Sequence, residues 1–251
     1  MPTPFTHLEI AQRLLRDEII APEIRALLEA ERGAFLLGNI AADARVNSGV
    51  EREITHFYNY RVGIPEPPWC VMVKRYPQLL APIDSAHRAF MAGYVAHLSV
   101  DEIWSLRLVG PHFGRGEWGD GLKHRFCILQ MLLIHLDERD FRRIESWQAD
   151  QLGSVAPRQW LPFLPDDDLR DWQHFIGKQT RPGGKSRTLK VLGERIGMRP
   201  KECRAFIDSP QQMQTGLWDY VPPLVVAEVE TSMYNHAREQ MIAYLDETTI
   251  P

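Results

Sequence analysis

The sequence predicts an all-α protein, a multi-helix bundle, and three observations carry that reading. Nearly every organised segment repeats its apolar residues at helical spacing, three or four apart. No stretch sustains the period-2 alternation of a half-buried strand. Helix-start signals, a Thr6–Glu9 capping box and Pro22, stand just ahead of apolar runs. With 251 residues, 44% of them hydrophobic and 25% charged, the chain can bury a sizeable core. We expect one domain over 1–251, less certain between 150 and 220.

Taken in order, the capping box predicts a helix starting at His7, with Phe5 and Ile10 as a hydrophobic staple and Leu8, Ala11, Leu14 and Leu15 inside. Pro22 opens a second helix with Ile24, Leu27, Leu28 and Ala30 on its inner face. A third apolar run, Ala34 to Ile40, leads directly to Asp43. A polar break at 47–53 and the proline-rich 64–68 loop bracket the segment around His56. Ser85 to Leu108 reads as the longest helix, and a glycine-rich turn over 110–121 follows. Leu122 to Leu136, Asp166 to Phe175 and Leu224 to Leu245 complete the helices.

Composition excludes several classes. A net charge of −4 argues against a protein devoted to nucleic acid. Cys70, Cys127 and Cys203 are odd in number and form no C-x-x-C, so they read as thiols of a reducing compartment and not as a disulfide frame. No apolar run approaches a membrane span and no export signal stands at the start, so the expectation is a cytoplasmic chain, complete as written.

The residues with metal-binding chemistry gather in the first 101 positions. His97 and Asp101, four apart, share one helix face, where an imidazole and a carboxylate can grip one ion. His7, Asp43 and His56 join them from three other segments, each at a helix start or end. Imidazoles with carboxylates suit zinc, and also manganese or iron. Asp101, with two oxygens, can bridge two ions, which together can activate a water and stabilise a phosphoester displacement. Each residue also has a plainer reading. His97 and Asp101 can be a hydrogen-bonded pair, His7 a first-turn residue, Asp43 a helix-terminal cap, and His56 a ring packed among Phe57, Tyr58 and Tyr60.

Four segments occur in a telling order: Pro4-Phe5-Thr6-His7-Leu8, the run from Leu36 to Asp43, Thr55-His56-Phe57-Tyr58, and the run from Ala92 to Asp101. Over roughly the first 105 residues the chain resembles the zinc-dependent phospholipase C family, related to the S1/P1-type nucleases. That resemblance implies an all-α bundle of the phospholipase C / P1 nuclease type, with up to three zinc ions cleaving phosphodiesters or phospholipids. It implies that Asp43, His56, His97 and Asp101 hold one zinc, with Asp101 bridging to a second ion that His7 helps bind. Two departures stand out. Secreted members use the free amino terminus as a ligand, whereas six residues precede His7 here. The family also has a further histidine six residues beyond its His-x-x-x-Asp, where this chain has Arg107. His112, Glu117, His124 and Glu138 are the substitutes at hand, and one or two ions are expected.

The other histidines read as structural. On a 3.6-residue helix His87 lies about 80° from the His97 face, and His135, His174 and His236 lack a matching carboxylate in their helices. Lys178 to Arg204 carries nine Lys or Arg against Glu194 and Glu202. Its Pro182-Gly183-Gly184-Lys185-Ser186 lacks the first glycine of a P-loop, which is Gln179, and no strand precedes it. That stretch reads as a solvated helix face, or as a patch for phosphate or anionic headgroups. Trp69, Trp104, Phe57 and Tyr58 read either as core or as walls of a substrate cleft.

The expectation is therefore a zinc-dependent hydrolase acting on a phosphodiester small molecule or phospholipid headgroup through metal-activated water, with Asp43 a ligand and a proton acceptor or water orienter. The alternative is a catalytically degenerate metal-binding bundle acting as a binding or scaffold module.

Overall fold

In the computed structural model, which describes residues 1–59 and 62–248, every regular element is a helix, and Asn59 and Gly63 form one isolated bridge. The helices are α1 (Pro4–Leu15), α2 (Pro22–Ala30), α3 (Arg32–Ala41), α4 (Arg45–Ser48), α5 (Arg52–His56), α6 (Pro68–Arg75) and α7 (Ser85–Ile103). After them come α8 (Leu122–Phe141), α9 (Ser146–Ser154), α10 (Asp166–Thr180), α11 (Thr188–Arg195), α12 (Pro200–Ile207), α13 (Pro210–Met213) and α14 (Pro223–Glu247). No helix among them is long and apolar enough to cross a membrane.

The first helix begins earlier than its capping box suggests. Pro4 takes a first-turn position, where its missing N–H costs nothing, so Thr6 and His7 fall inside α1. The Thr6 hydroxyl is used elsewhere, donating to Asp140 Oδ2 at 2.8 Å. His7 consequently lies one turn into a helix and is fully buried.

The central element is α7. Asp84 caps it by accepting from the His87 amide at 2.7 Å, and it is buried without a break from Ala89 to Ile103. Helix α3 packs on one side and α14 on another. Such burial all round explains why this helix lacks a clear polar face. Past Ile103 the backbone continues as a wide π-helical stretch, Trp104–Gly114, so the expected glycine-rich turn is helical over 110–114 and irregular only from 115 to 121. The longest helix is α14, not the one around His97. The 150–220 region, less certain from sequence, is a chain of short helices from α9 to α13.

Two glycines let α3 and α7 meet backbone to backbone. A Cβ on Gly38 would overlap the Phe90 carbonyl oxygen and stand 2.9 Å from the Tyr94 amide nitrogen. A Cβ on Gly93 would overlap the Phe35 carbonyl oxygen and stand 3.0 Å from the Asn39 amide nitrogen. The crossing is thus closer than any side-chain-bearing pair permits, and it sets the register of His97 against Asn39. One contiguous apolar core surrounds it, drawing on Phe5 and Leu8 of α1, Leu36 of α3, Phe90 and Tyr94 of α7, Leu132 of α8 and Tyr244 of α14.

Candidate metal centre

All five expected ligands come together. His7, His56, His97 and Asp101 are fully buried and Asp43 is 5% exposed. They form two overlapping triads, His7–His97–Asp101 and Asp43–His56–His97, in each of which one ligand atom per residue lies within 4.8 Å of the others. His97 belongs to both.

Each side chain is aimed by its element. His97 Nδ1 stands 2.8 Å from the Asn39 carbonyl oxygen. A carbonyl only accepts, so Nδ1 carries the proton and Nε2 presents a lone pair to the centre. On α5, the Thr55 hydroxyl donates to the Arg52 carbonyl (3.4 Å), leaving its oxygen to accept from His56 Nδ1 (2.8 Å). Helix α5 is itself fixed by Tyr94, whose hydroxyl donates to the Thr55 carbonyl at 2.7 Å. It stops at Phe57, which holds a left-handed φ of 61°. Asp43 sits on a tight 3-10 turn, Ala42–Ala44, that follows α3. The Ile40 carbonyl near that turn is satisfied by Trp172 Nε1 of α10 at 2.8 Å. The His7 ring stacks on His97 with centroids 3.9 Å apart.

The distances suit one small ion. His56 Nε2 lies 3.3 Å from Asp101 Oδ2 and 3.6 Å from Asp43 Oδ1, and His7 Nε2 lies 3.6 Å from Asp101 Oδ1. Two tetrahedral ligands bound to the same zinc stand about 3.4 Å apart. Five buried atoms of the cluster have no hydrogen-bond partner: both His7 ring nitrogens, His56 Nε2, His97 Nε2 and Asp101 Oδ1. Leaving one buried polar group unsatisfied costs about 1–3 kcal/mol, a cost that a bound ion would relieve for the atoms that ligate it. The donor set fits a divalent ion such as zinc.

Protonation states agree with that fit. Burial lowers the His97 pKa to about 3, with the neighbouring His7 adding to the effect. Burial and the Arg52 charge push His56 down as well. Burial alone would raise both carboxyls, but His56 and His97 hold Asp43 at about 2, and His7, His97 and His56 hold Asp101 far below the usual carboxylate range. Neutral imidazoles and ionised carboxylates are the forms a metal takes.

Arg52, invisible in the sequence reading, is the main addition. Its Nη2 donates to Asp101 Oδ2 at 3.1 Å and to the Tyr58 hydroxyl at 2.6 Å, and Tyr58 meets Ser105 at 2.9 Å. Its place four residues before His56 on α5 was the available clue. Met1 also borders the centre; burial lowers its amino group to about 6, against the pull of Asp101.

The remaining candidates fall outside. Arg107 is exposed and donates to Ser232 on α14 at 2.8 Å. His112, Glu117, His124 and Glu138 join neither triad, and Glu138 instead pairs with Arg204. His87 meets the Trp160 carbonyl oxygen at 3.0 Å. His236, expected to lack a carboxylate, has one from another helix, Glu102 at 3.0 Å. Trp69, Trp104, Phe57 and Tyr58 are buried, and none lines the cavity described next. Tyr60 lies outside the described residues.

A cavity of about 640 Å³ opens beside the cluster, with Asp43, Arg52 and Ser105 in its wall. Asp43 is the one candidate ligand, and the one carboxylate, among the described residues that line it. Two arginines of the basic stretch, Arg187 and Arg195, line it too. The glycine-rich Pro182–Ser186 segment serves as an anchor: Ser186 and Thr188 donate to Asp137 of α8 at 2.7 and 2.8 Å. Neither a protein-family model, nor a curated protein, nor a solved structure matches the chain, so the centre is read from its own geometry.

Proposed function

We propose that the chain is a metal-dependent hydrolase of phosphodiesters, with a zinc-type site built on a bundle like that of the phospholipase C / P1 nuclease group. The observation that carries it is the gathering of five buried candidate ligands in two triads that share His97, with ligand-type atoms that lack a hydrogen-bond partner and Asp43 opening onto an arginine-bearing cavity. His7, Asp43, His56, His97 and Asp101 would hold the metal. A bound divalent ion supplies Lewis acidity, polarising a phosphoester oxygen and acidifying water.

The chain's own groups do the rest. Asp43, ionised and facing the cavity, accepts a hydrogen bond from an incoming water and orients it. Arg52, anchored on Asp101 and Tyr58, faces the same cavity and neutralises phosphate charge. The buried shell of α3, α7 and α1 excludes bulk water from the ligands, which strengthens every charge interaction inside.

Gentle purification followed by elemental analysis tests this reading, together with turnover of bis(4-nitrophenyl) phosphate and phosphatidylcholine. We expect close to one zinc per chain and loss of metal and turnover in His97→Ala and Asp101→Ala. Less than about 0.1 metal per chain would overturn it.

One observation favours a second reading, a metal-binding bundle without turnover. Arg52 already donates to the Asp101 oxygen that faces His56, and position 107 holds an exposed arginine. Full metal occupancy with no turnover of any phosphoester selects it.

A further inference from the structure

The cavity beside Asp43 joins two chemistries that seldom share one wall. Its inner surface is apolar: Leu129 and Leu133 of α8, Trp172, Phe175 and Ile176 of α10, and Leu192 of α11. Its rim carries exposed apolar side chains, Val46, Leu106 and Phe126, each more than two-fifths exposed. Exposed apolar side chains gathered around an apolar cavity mark a ligand-binding opening and not scattered surface. Interleaved with them are the exposed Arg115, Arg187 and Arg195, none of which makes an ion pair with a carboxylate among the described residues. Arg45 and Arg52, less exposed, line it too, with Arg52 already paired to Asp101.

We propose that this cavity binds a single-chain anionic amphiphile, its apolar tail lodged between α8, α10 and α11 and its phosphate head held among the arginines next to Asp43. Volume selects the size, since about 640 Å³ suits one small molecule and not a macromolecule. Charge selects the head: guanidinium groups match phosphate oxygens in planar, bidentate fashion. The apolar walls select the tail, because each methylene taken out of water strengthens binding up to about fourfold. A small hydrophilic phosphodiester would leave the inner chamber unfilled, and a neutral lipid would bring no anion to Arg115, Arg187 and Arg195. The inference rests on the hydrolase reading for the fate of the bound molecule, but not for its binding.

The test is calorimetric titration of the full-length protein with octyl, decyl and dodecyl phosphate, each below its micelle concentration, against inorganic phosphate and dodecyl maltoside. Affinity is expected to climb with chain length, with dodecyl phosphate at least about tenfold tighter than either control. Arg115→Gln, Arg187→Gln and Arg195→Gln combined change only exposed positions, so folding is preserved. They are expected to lower affinity for dodecyl phosphate at least about tenfold and to flatten its salt dependence. Phe126→Glu, also exposed, and Ile176→Trp, which fills the chamber, are expected to abolish the chain-length trend. Equal affinity for dodecyl and inorganic phosphate, or for dodecyl phosphate and the maltoside, overturns the proposal. Repeating the titrations with His97→Ala separates the two readings. Binding that survives there while turnover is lost supports both. Normal metal content and turnover with no chain-length trend overturns this inference alone.

Discussion

His97 is fixed by a backbone carbonyl across a helix crossing that only glycines allow, whereas Arg187 sits in a segment pinned by two hydroxyls to one carboxylate, Asp137. The metal centre meets the cavity only through Asp43 among its candidate ligands, and Arg187 lines it directly, yet one region is held by main chain and the other by side chains. A metal needs ligand atoms placed to within tenths of an ångström, and a close α3–α7 backbone contact provides that placement. On the proposed reading, the metal ligands rest on a main-chain contact and the cavity wall near Arg187 on side-chain contacts.

The comparison breaks most completely at Gly93. A methyl there drives α3 and α7 apart, so Gly93→Ala is expected to cost about 3 kcal/mol or more in urea unfolding, because a packed crossing cannot absorb it. Metal should be lost with it, since Asn39 and His97 separate. A variant with wild-type stability and full metal would remove the glycine crossing as the organiser of the centre.

A smaller effect isolates the other region. Burial raises the Asp137 carboxyl to about 6, despite the Ser186 and Thr188 hydrogen bonds that favour its ionised form, from the ordinary value near 3.9 that the unfolded chain retains. Between these values the folded state binds the proton more readily, so this residue contributes stability at acid pH that is lost as pH rises through about 6. Asp137→Asn lacks that dependence. From pH 7 to pH 4 the stability difference should shift in favour of the wild type by about 2 kcal/mol, with metal content at pH 7 unchanged. A flat difference across that range would show that Asp137 does not hold its proton in the folded state.

The smallest expected effect is at Arg107. It is exposed and donates to Ser232 of α14, so Arg107→Ala should change stability by less than about 0.5 kcal/mol and leave metal content unaltered. Loss of metal in that variant would place the Arg107 position inside the centre after all.

The two regions also differ in how much of them the sequence discloses. All five candidate ligands are named from the sequence, His97 and Asp101 by their spacing on one helix face and His7, Asp43 and His56 by the order of the segments that carry them, and folding brings the five together. The all-helical architecture is readable from apolar residues repeated at helical spacing. Arg52 is not, because nothing in a linear pattern ties α5 to Asp101 on α7. The start of α1 is misplaced because Thr6 and Glu9 satisfy a capping pattern while Pro4, three residues into the chain, takes the first-turn role. The cavity is the least legible part. Its arginines come from α4, α5, the residue after the π-helical stretch, the residue before α11 and α11 itself, and only tertiary packing gathers them. The four aromatic residues that suggested a cleft wall became core, and Trp172 and Phe175 of α10 took their place.

His97 has one ring nitrogen to give. Its Nδ1 is spent on Asn39, so the single lone pair at Nε2 is claimed by both triads at once. On the proposed reading, an ion held by His7 and Asp101 would take that lone pair from one held by Asp43 and His56, and the reverse would hold equally. Loading is then a competition within one chain. A titration with metal should saturate at the first equivalent, and a second ion, bound without this imidazole, should come on far more weakly.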